Sequence, residues 1–362
     1  MVAAQLNQPT HRPERLSTSP EPRSGLTQLS YGVLVTLVLA TLAWRLGSLV
    51  PLVGGPVCGL ALGMAAGCLG LSRGAARTGI VCCSKQLLQV AVVLLGAGLG
   101  LGQILQAGRE SGSIILATIS VCLVAAWLLG RLYRIHGNLA ALIGVGTAIC
   151  GGSAIAVISP VLRAEEQEVA YAISTIFAWN VVAVLVFPAA GGLLDLNQQD
   201  FGLWAGTAIN DTSSVVAAAY TYGDAAGAYA TVVKLARTTV LIPVTLAAAL
   251  GRALSHRREL LARQRPDAAG VTAPSLSLRR MVPWFIVCFL ATASLHTLGF
   301  LPPPLPAYAT AAAKFMIVMA MTAIGLSADL GAMRRLGVRP LLLGLTLWVI
   351  VACTSLILQR LS

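Results

Sequence analysis

Four basic side chains lie within long apolar stretches: Lys85 in CCSKQLLQVAVVLLG, Lys234 and Arg237 in TVVKLARTTVLIP, and Lys314 in TAAAKFMIVMAM. A cation in hydrocarbon costs at least about 2.5 kcal/mol, so such residues usually face a protein interior or a wet cavity and mark function. Lys234 and Arg237 are three apart and share one helical face. Asp211, directly after Asn210, is the carboxylate near the middle of an apolar stretch, whereas Asp224 and Asp329 fall at the ends of theirs. An interior with four cations and one central carboxylate suits an anionic ligand. Two plainer readings stand beside this one. Lys85 and Lys314 could reach the interface along their own alkyl stems, and Asp211 could form a buried ion pair with Lys234 or Arg237.

The second signal is a repeated tetrapeptide. GTAICGGSAIAVISP begins at Gly146, and GTAINDTSSVVAAAY begins at Gly206. Glycine, threonine and serine weaken a lipid-facing helix, and an unwound stretch at membrane depth is tolerated only where it lines protein or water. A helix interrupted there would present unpaired backbone N–H groups and the positive end of a dipole, a place for an anion. Gly146, Thr147, Gly151, Gly152 and Ser153 are the candidates in the first stretch, and Thr207, Asn210, Asp211 and Ser213 in the second. The plainer alternative is close helix packing by small residues.

These residues are carried by an all-α polytopic membrane protein. Of 362 residues 57% are hydrophobic and 10% charged, and the apolar residues fall in blocks of about 17 to 25, the length of a membrane-spanning helix. The blocks run 31–50, 52–71, 79–101, 112–130, 138–160, 169–193, 201–222, 227–250, 282–299, 309–328 and 338–358, giving eleven candidate transmembrane helices. Residues 1–30, rich in Pro, Ser, Thr and Arg, read as a disordered tail. Alternating the loops between the two sides puts 17 Arg on the side of the amino terminus and 4 on the other. That asymmetry places the amino terminus in the cytoplasm and the carboxyl terminus outside. The net charge of +12 is then mainly an orientation signal, and the basic loop from His256 is no argument for nucleic acid. The eight cysteines lack metal-ligand spacing, so neither a metal nor a disulfide is expected. The chain has no HExxH motif and no phosphate-binding loop, and its four histidines form no recognisable catalytic arrangement, so an enzyme is not expected.

TGIVCCSKQLLQV from Thr78 and GAYATVVKLARTT from Gly227 each carry lysine at the eighth position, in spans that alternation orients oppositely. This suggests a 5+5 inverted repeat with interrupted helices: an extra helix at 31–50, one half at 52–193 and the other at 201–358. GTAICGGSAIAVISPVLRAEEQEVAYA, FGLWAGTAINDTSSVVAAA, TVVKLAR and AIGLSADLGAMRRLGVRPLLLG together resemble the YeiH-like sulfate exporter family of bacterial inner membranes. That family is in turn similar to the cation/proton antiporters and bile-acid-type symporters. The resemblance implies two inverted halves with interrupted, crossing helices, one near Gly146 and its partner near Gly325. Many members carry His and Glu where this chain has Asn210 and Asp211, which removes a group that titrates near neutrality.

The expected function is secondary active export of a small inorganic anion, such as sulfate or a related sulfur oxyanion, with no cofactor beyond a coupling H⁺ or Na⁺. Lys85, Lys234 and Arg237 would neutralise the substrate, and Lys314 completes the set of candidate cations. Backbone N–H groups near Gly151 and Gly152 would bind its oxygens, and Asp211 would couple the ion. The alternative is a cation/proton antiporter with Asp211 as the ion site. The expected partners are the anion, the lipid bilayer and, as an option, a second copy in a homodimer.

Overall fold

In lipid every backbone polar group must be satisfied within its own segment, which forces an apolar chain into helices. The computed structural model describes residues 25–49, 54–72, 74–248, 250–251, 283–328 and 337–361, and among them there is no strand. Most of the expected tail and of the basic loop lies outside the described residues. The helices are α1 Gly25–Leu49, α2 Gly54–Cys68, α3 Arg77–Gly96, α4 Leu101–Leu132, α5 Gly137–Ala148, α6 Gly152–Leu162 and α7 Glu166–Leu193. They continue with α8 Gln198–Ala208, α9 Thr212–Tyr222, α10 Asp224–Ala248, α11 Trp284–Thr297, α12 Pro304–Ser327 and α13 Val338–Leu361. Helix α3 widens by one π turn at Cys83–Leu87, with Lys85 at its centre. The chain is a polytopic membrane protein, and helix α1 begins at Gly25, inside the segment expected to be a disordered tail.

All eleven apolar blocks are helical, but two of them fold back instead of crossing. At the foot of α8 and α9, the Phe201 ring stacks on Tyr222 with centroids 3.8 Å apart. There the Gln198 side chain also accepts from the backbone N–H of Ala225 at 2.9 Å, and the Tyr222 hydroxyl donates to the carbonyl of Leu196. The start of α8 and the end of α9 therefore share one face of the molecule. Likewise His136, which precedes α5, lies 2.6 Å from Glu168 in the first turn of α7, and α7 starts only four residues after α6 ends. Both pairs are re-entrant hairpins of helices 11 or 12 residues long, about half the length needed to span. Helix α7 crosses between them, so the hairpins enter from opposite faces.

Contacts at the feet fix the other directions. Glu110 of α4 accepts from Gln199 and Tyr229, Lys314 of α12 pairs with Asp224, and Gln359 of α13 bonds Asp200. All lie on the face of the second hairpin's foot. Among the described residues, nine helices cross the molecule, so the start of the first helix and the end of the last lie on opposite faces. The two hairpins change the crossing count by an even number, so this relation between the ends is the same as for eleven crossings.

The expected partner break near Gly325 is not there. Helix α12 runs unbroken through that residue, and Gly325 serves packing: a Cβ there would lie 2.3 Å from the carbonyl of Leu60 in α2. The partner of the Gly146 break is instead at Gly206, and the two interrupted elements are hairpins and not crossing helices.

Candidate functional site

The repeated GTAI has the same job twice: it ends the inbound half-helix of each hairpin. Gly146 and Gly206 admit neighbouring side chains, Ile155 and Ile176 in one case and Val233 in the other. Ile149 and Ile209, both fully buried, cap the two half-helices. The residues that follow turn the chain by different means. After Ile149 the turn uses Gly151 at φ +69°, ψ −129°, a conformation that needs glycine. After Ile209 it uses Asp211 in extended backbone, whose carboxylate accepts from the N–H of Ser213 at 3.0 Å as an N-cap and also from its hydroxyl. The tips touch: a Cβ on Gly151 would be 3.5 Å from that of Asp211.

Two inbound helices leave unpaired carbonyls and negative dipole ends at mid-depth. Lys234 and Arg237 of α10, both fully buried, answer them. Lys234 Nζ donates to the carbonyls of Ile149 at 2.7 Å and Ile209 at 2.9 Å, clasping both tips. Arg237 Nε donates to Ala148 at 2.7 Å and Nη2 to Thr147 at 3.4 Å. Among the described residues neither forms an ion pair with Asp211. The buried-pair reading of Asp211 is thereby replaced by cations bound to backbone carbonyls.

The outbound half-helices α6 and α9 turn their N-termini the other way, toward a cavity of about 220 Å³. Its polar end is formed by Gly152, Asp211, Ser213, Ser214, Asn180, Ser84 and Lys85, the last two carried on the π turn of α3. The rest of its wall is apolar, including Ile176, Phe177 and Met321. Asn180 is 5% exposed, and its Oδ1 accepts the Asp211 N–H at 3.2 Å. The Asn180 side chain borders the cavity, and its Nδ2 donates no hydrogen bond among the described residues. A cavity with one free ammonium, two helix N-termini, an amide donor and three serines can hold a small anion. The Asp211 carboxylate is its single acidic member.

Of the residues expected from sequence, Lys85, Gly152, Asp211 and Ser213 meet at this cavity. Gly146, Thr147, Gly151, Ser153, Thr207 and Asn210 build the tips behind it. Ser153 donates to the carbonyl of Cys150 at 3.0 Å, and Thr207 bonds Ser355. Lys234 and Arg237 do not line the cavity, because carbonyl groups hold them on the far side of the tips. Lys314 lies at the second hairpin's foot, 2.7 Å from Asp224, away from this cavity. Sequence reasoning missed Asn180, although a lone amide in the apolar run TIFAWNVVAVLV was the signal for it.

Fold and site together define a helical membrane protein built around two opposed re-entrant hairpins with a polar cavity at their tips. Residues 31–344 match the family described as Conserved hypothetical protein 698, and the chain belongs to that family. A UPF0324 membrane protein of Streptococcus pyogenes serotype M3 is 41% identical, covering 91% of this chain and 96% of its own length. Another from Fusobacterium nucleatum is 38% identical over 91% and 97% of the two chains, and one from Clostridium tetani is 34% identical over 92% and 97%.

Proposed function

We propose that this protein is a secondary active transporter that moves a small inorganic anion by alternating access, with the cavity at the hairpin tips as its binding site. The observation that carries the reading is the convergence of two half-helix N-termini, the Lys85 ammonium and the free Asn180 amide on one cavity. Hairpins entering from opposite faces give the site a thin barrier on each side, and each hairpin can move to open one of them. Export of sulfate or another sulfur oxyanion is the form suggested by the family resemblance, with Asp211 coupling H⁺ or Na⁺. The protein carries out no bond-making chemistry in this reading and uses no cofactor.

The amino-terminal face is assigned to the cytoplasm of a bacterial inner membrane. The hairpin geometry supports this, since it moves Arg163 to that face and turns 17 against 4 into 18 against 3. The test is flux into liposomes containing purified protein, with labelled sulfate, sulfite, phosphate, Na⁺ and a pH dye measured in parallel. Saturable oxyanion flux that is lost in Lys85→Met is expected. Cation-for-proton exchange without anion flux would replace this reading by an antiporter with Asp211 as its ion site.

A further inference from the structure

Within the anion reading just given, on which this inference rests, the cavity carries a feature that a site for a bare oxyanion does not need. Every group that converges on it can donate a hydrogen bond except the Asp211 carboxylate. One Asp211 oxygen accepts from the N–H and hydroxyl of Ser213, and among the described residues the other has no hydrogen-bond donor. The tip contact with Gly151 and the bond from its own N–H to Asn180 hold Asp211 in place, so it cannot simply turn away. Lys85 forms no ion pair with it among the described residues, so the ammonium remains available to a ligand.

A ligand with oxygen lone pairs on every side would set one of them against those of the carboxylate in a partly dry site, where repulsion is weakly screened. A ligand that keeps one O–H would donate it to Asp211 while its charged oxygens meet Lys85, Asn180 and the N-termini. We propose that the site selects oxyanions that retain a proton at neutral pH, such as hydrogenphosphate, hydrogencarbonate or hydrogensulfite, and discriminates against sulfate. In this arrangement Asp211 is a specificity-determining residue and acts by accepting the proton of the substrate.

Binding of hydrogenphosphate, fluorophosphate and sulfate to detergent-purified protein at neutral pH tests this directly. Fluorophosphate has nearly the shape of hydrogenphosphate but fluorine in place of the hydroxyl. The expected result is hydrogenphosphate binding at least about tenfold more tightly than either of the others, because a site built around a ligand O–H rejects the analogue lacking it. In Asp211→Asn, which keeps an N-cap acceptor for Ser213, that preference should disappear and sulfate should bind more tightly than in the wild type. Sulfate or fluorophosphate binding as tightly as hydrogenphosphate in the wild type would overturn the inference and leave the anion site standing. An unchanged preference in Asp211→Asn, with its thermal stability intact, would overturn the role of Asp211. Binding of none of the three ions would overturn both the inference and the anion reading.

Discussion

Lys234→Met removes the clasp while nearly preserving side-chain volume, and its cost can be worked from the geometry. The carbonyls of Ile149 and Ile209, which accept from Nζ at 2.7 and 2.9 Å, lose their donor. Leaving a buried acceptor unpaired costs about 1–3 kcal/mol, so the two carbonyls account for roughly 2–6 kcal/mol. Relief from burying an ammonium that forms no ion pair among the described residues offsets part of this, and a net loss of about 2–4 kcal/mol remains. At on the order of 2 °C per kcal/mol for a chain of this size, thermal unfolding in detergent should fall by roughly 4–8 °C. Adding Asp211→Asn should not restore it, because the partners of Lys234 are carbonyl groups. Lys85→Met, which alters a cavity wall and no tip contact, should stay within about 0.5 kcal/mol of the wild type while abolishing anion binding. A Lys234→Met protein that melts within about 1 °C of the wild type, or one rescued by Asp211→Asn, would refute the clasp.

Gly151→Ala forces a Cβ onto φ +69° and against Asp211, a strain of about 1–3 kcal/mol that should appear both as a lower melting temperature and as weaker anion binding. Gly63→Ala would place a Cβ 2.2 Å from the Thr322 carbonyl and wedge α2 from α12, lowering the melting temperature by an amount equivalent to about 1–3 kcal/mol. In sealed vesicles, an impermeant thiol reagent should reach cysteines at positions 134 and 163 from one side and those at 195 and 225 from the other. Opposite sides for 134 and 163 would mean that the first hairpin crosses.

The apolar blocks, the break after Gly146 and the polar run after Gly206 were all legible in the sequence, since each follows from solvent and residue type alone. The hairpins were not. Two half-helices of 11 or 12 residues with a break between them add up to one crossing length, so length and periodicity are the same for a helix that passes through and one that turns back. The discriminating contacts, His136 to Glu168 and Phe201 to Tyr222, join residues more than twenty positions apart. Lys234 and Arg237 were recognisable as buried cations, but their partners are backbone carbonyls, which every residue carries and no sequence pattern marks. That is why an anion in the cavity was the natural expectation for charges that in fact hold the tips together.

The placement of the anion between the hairpin tips is open to one direct measurement. A side chain on Gly152 would project into open space at the N-terminus of α6, where that helix lines the cavity. Gly152→Cys is therefore expected to fold, and its thiol can be titrated once the exposed Cys68 and Cys353 are replaced by serine. Its rate of modification by a small charged thiol reagent should fall severalfold as hydrogenphosphate is raised through the concentration range that saturates binding, and Lys85→Met should remove that protection. A modification rate that does not respond to a saturating anion would contradict the account, because the ligand would then be bound away from the tips.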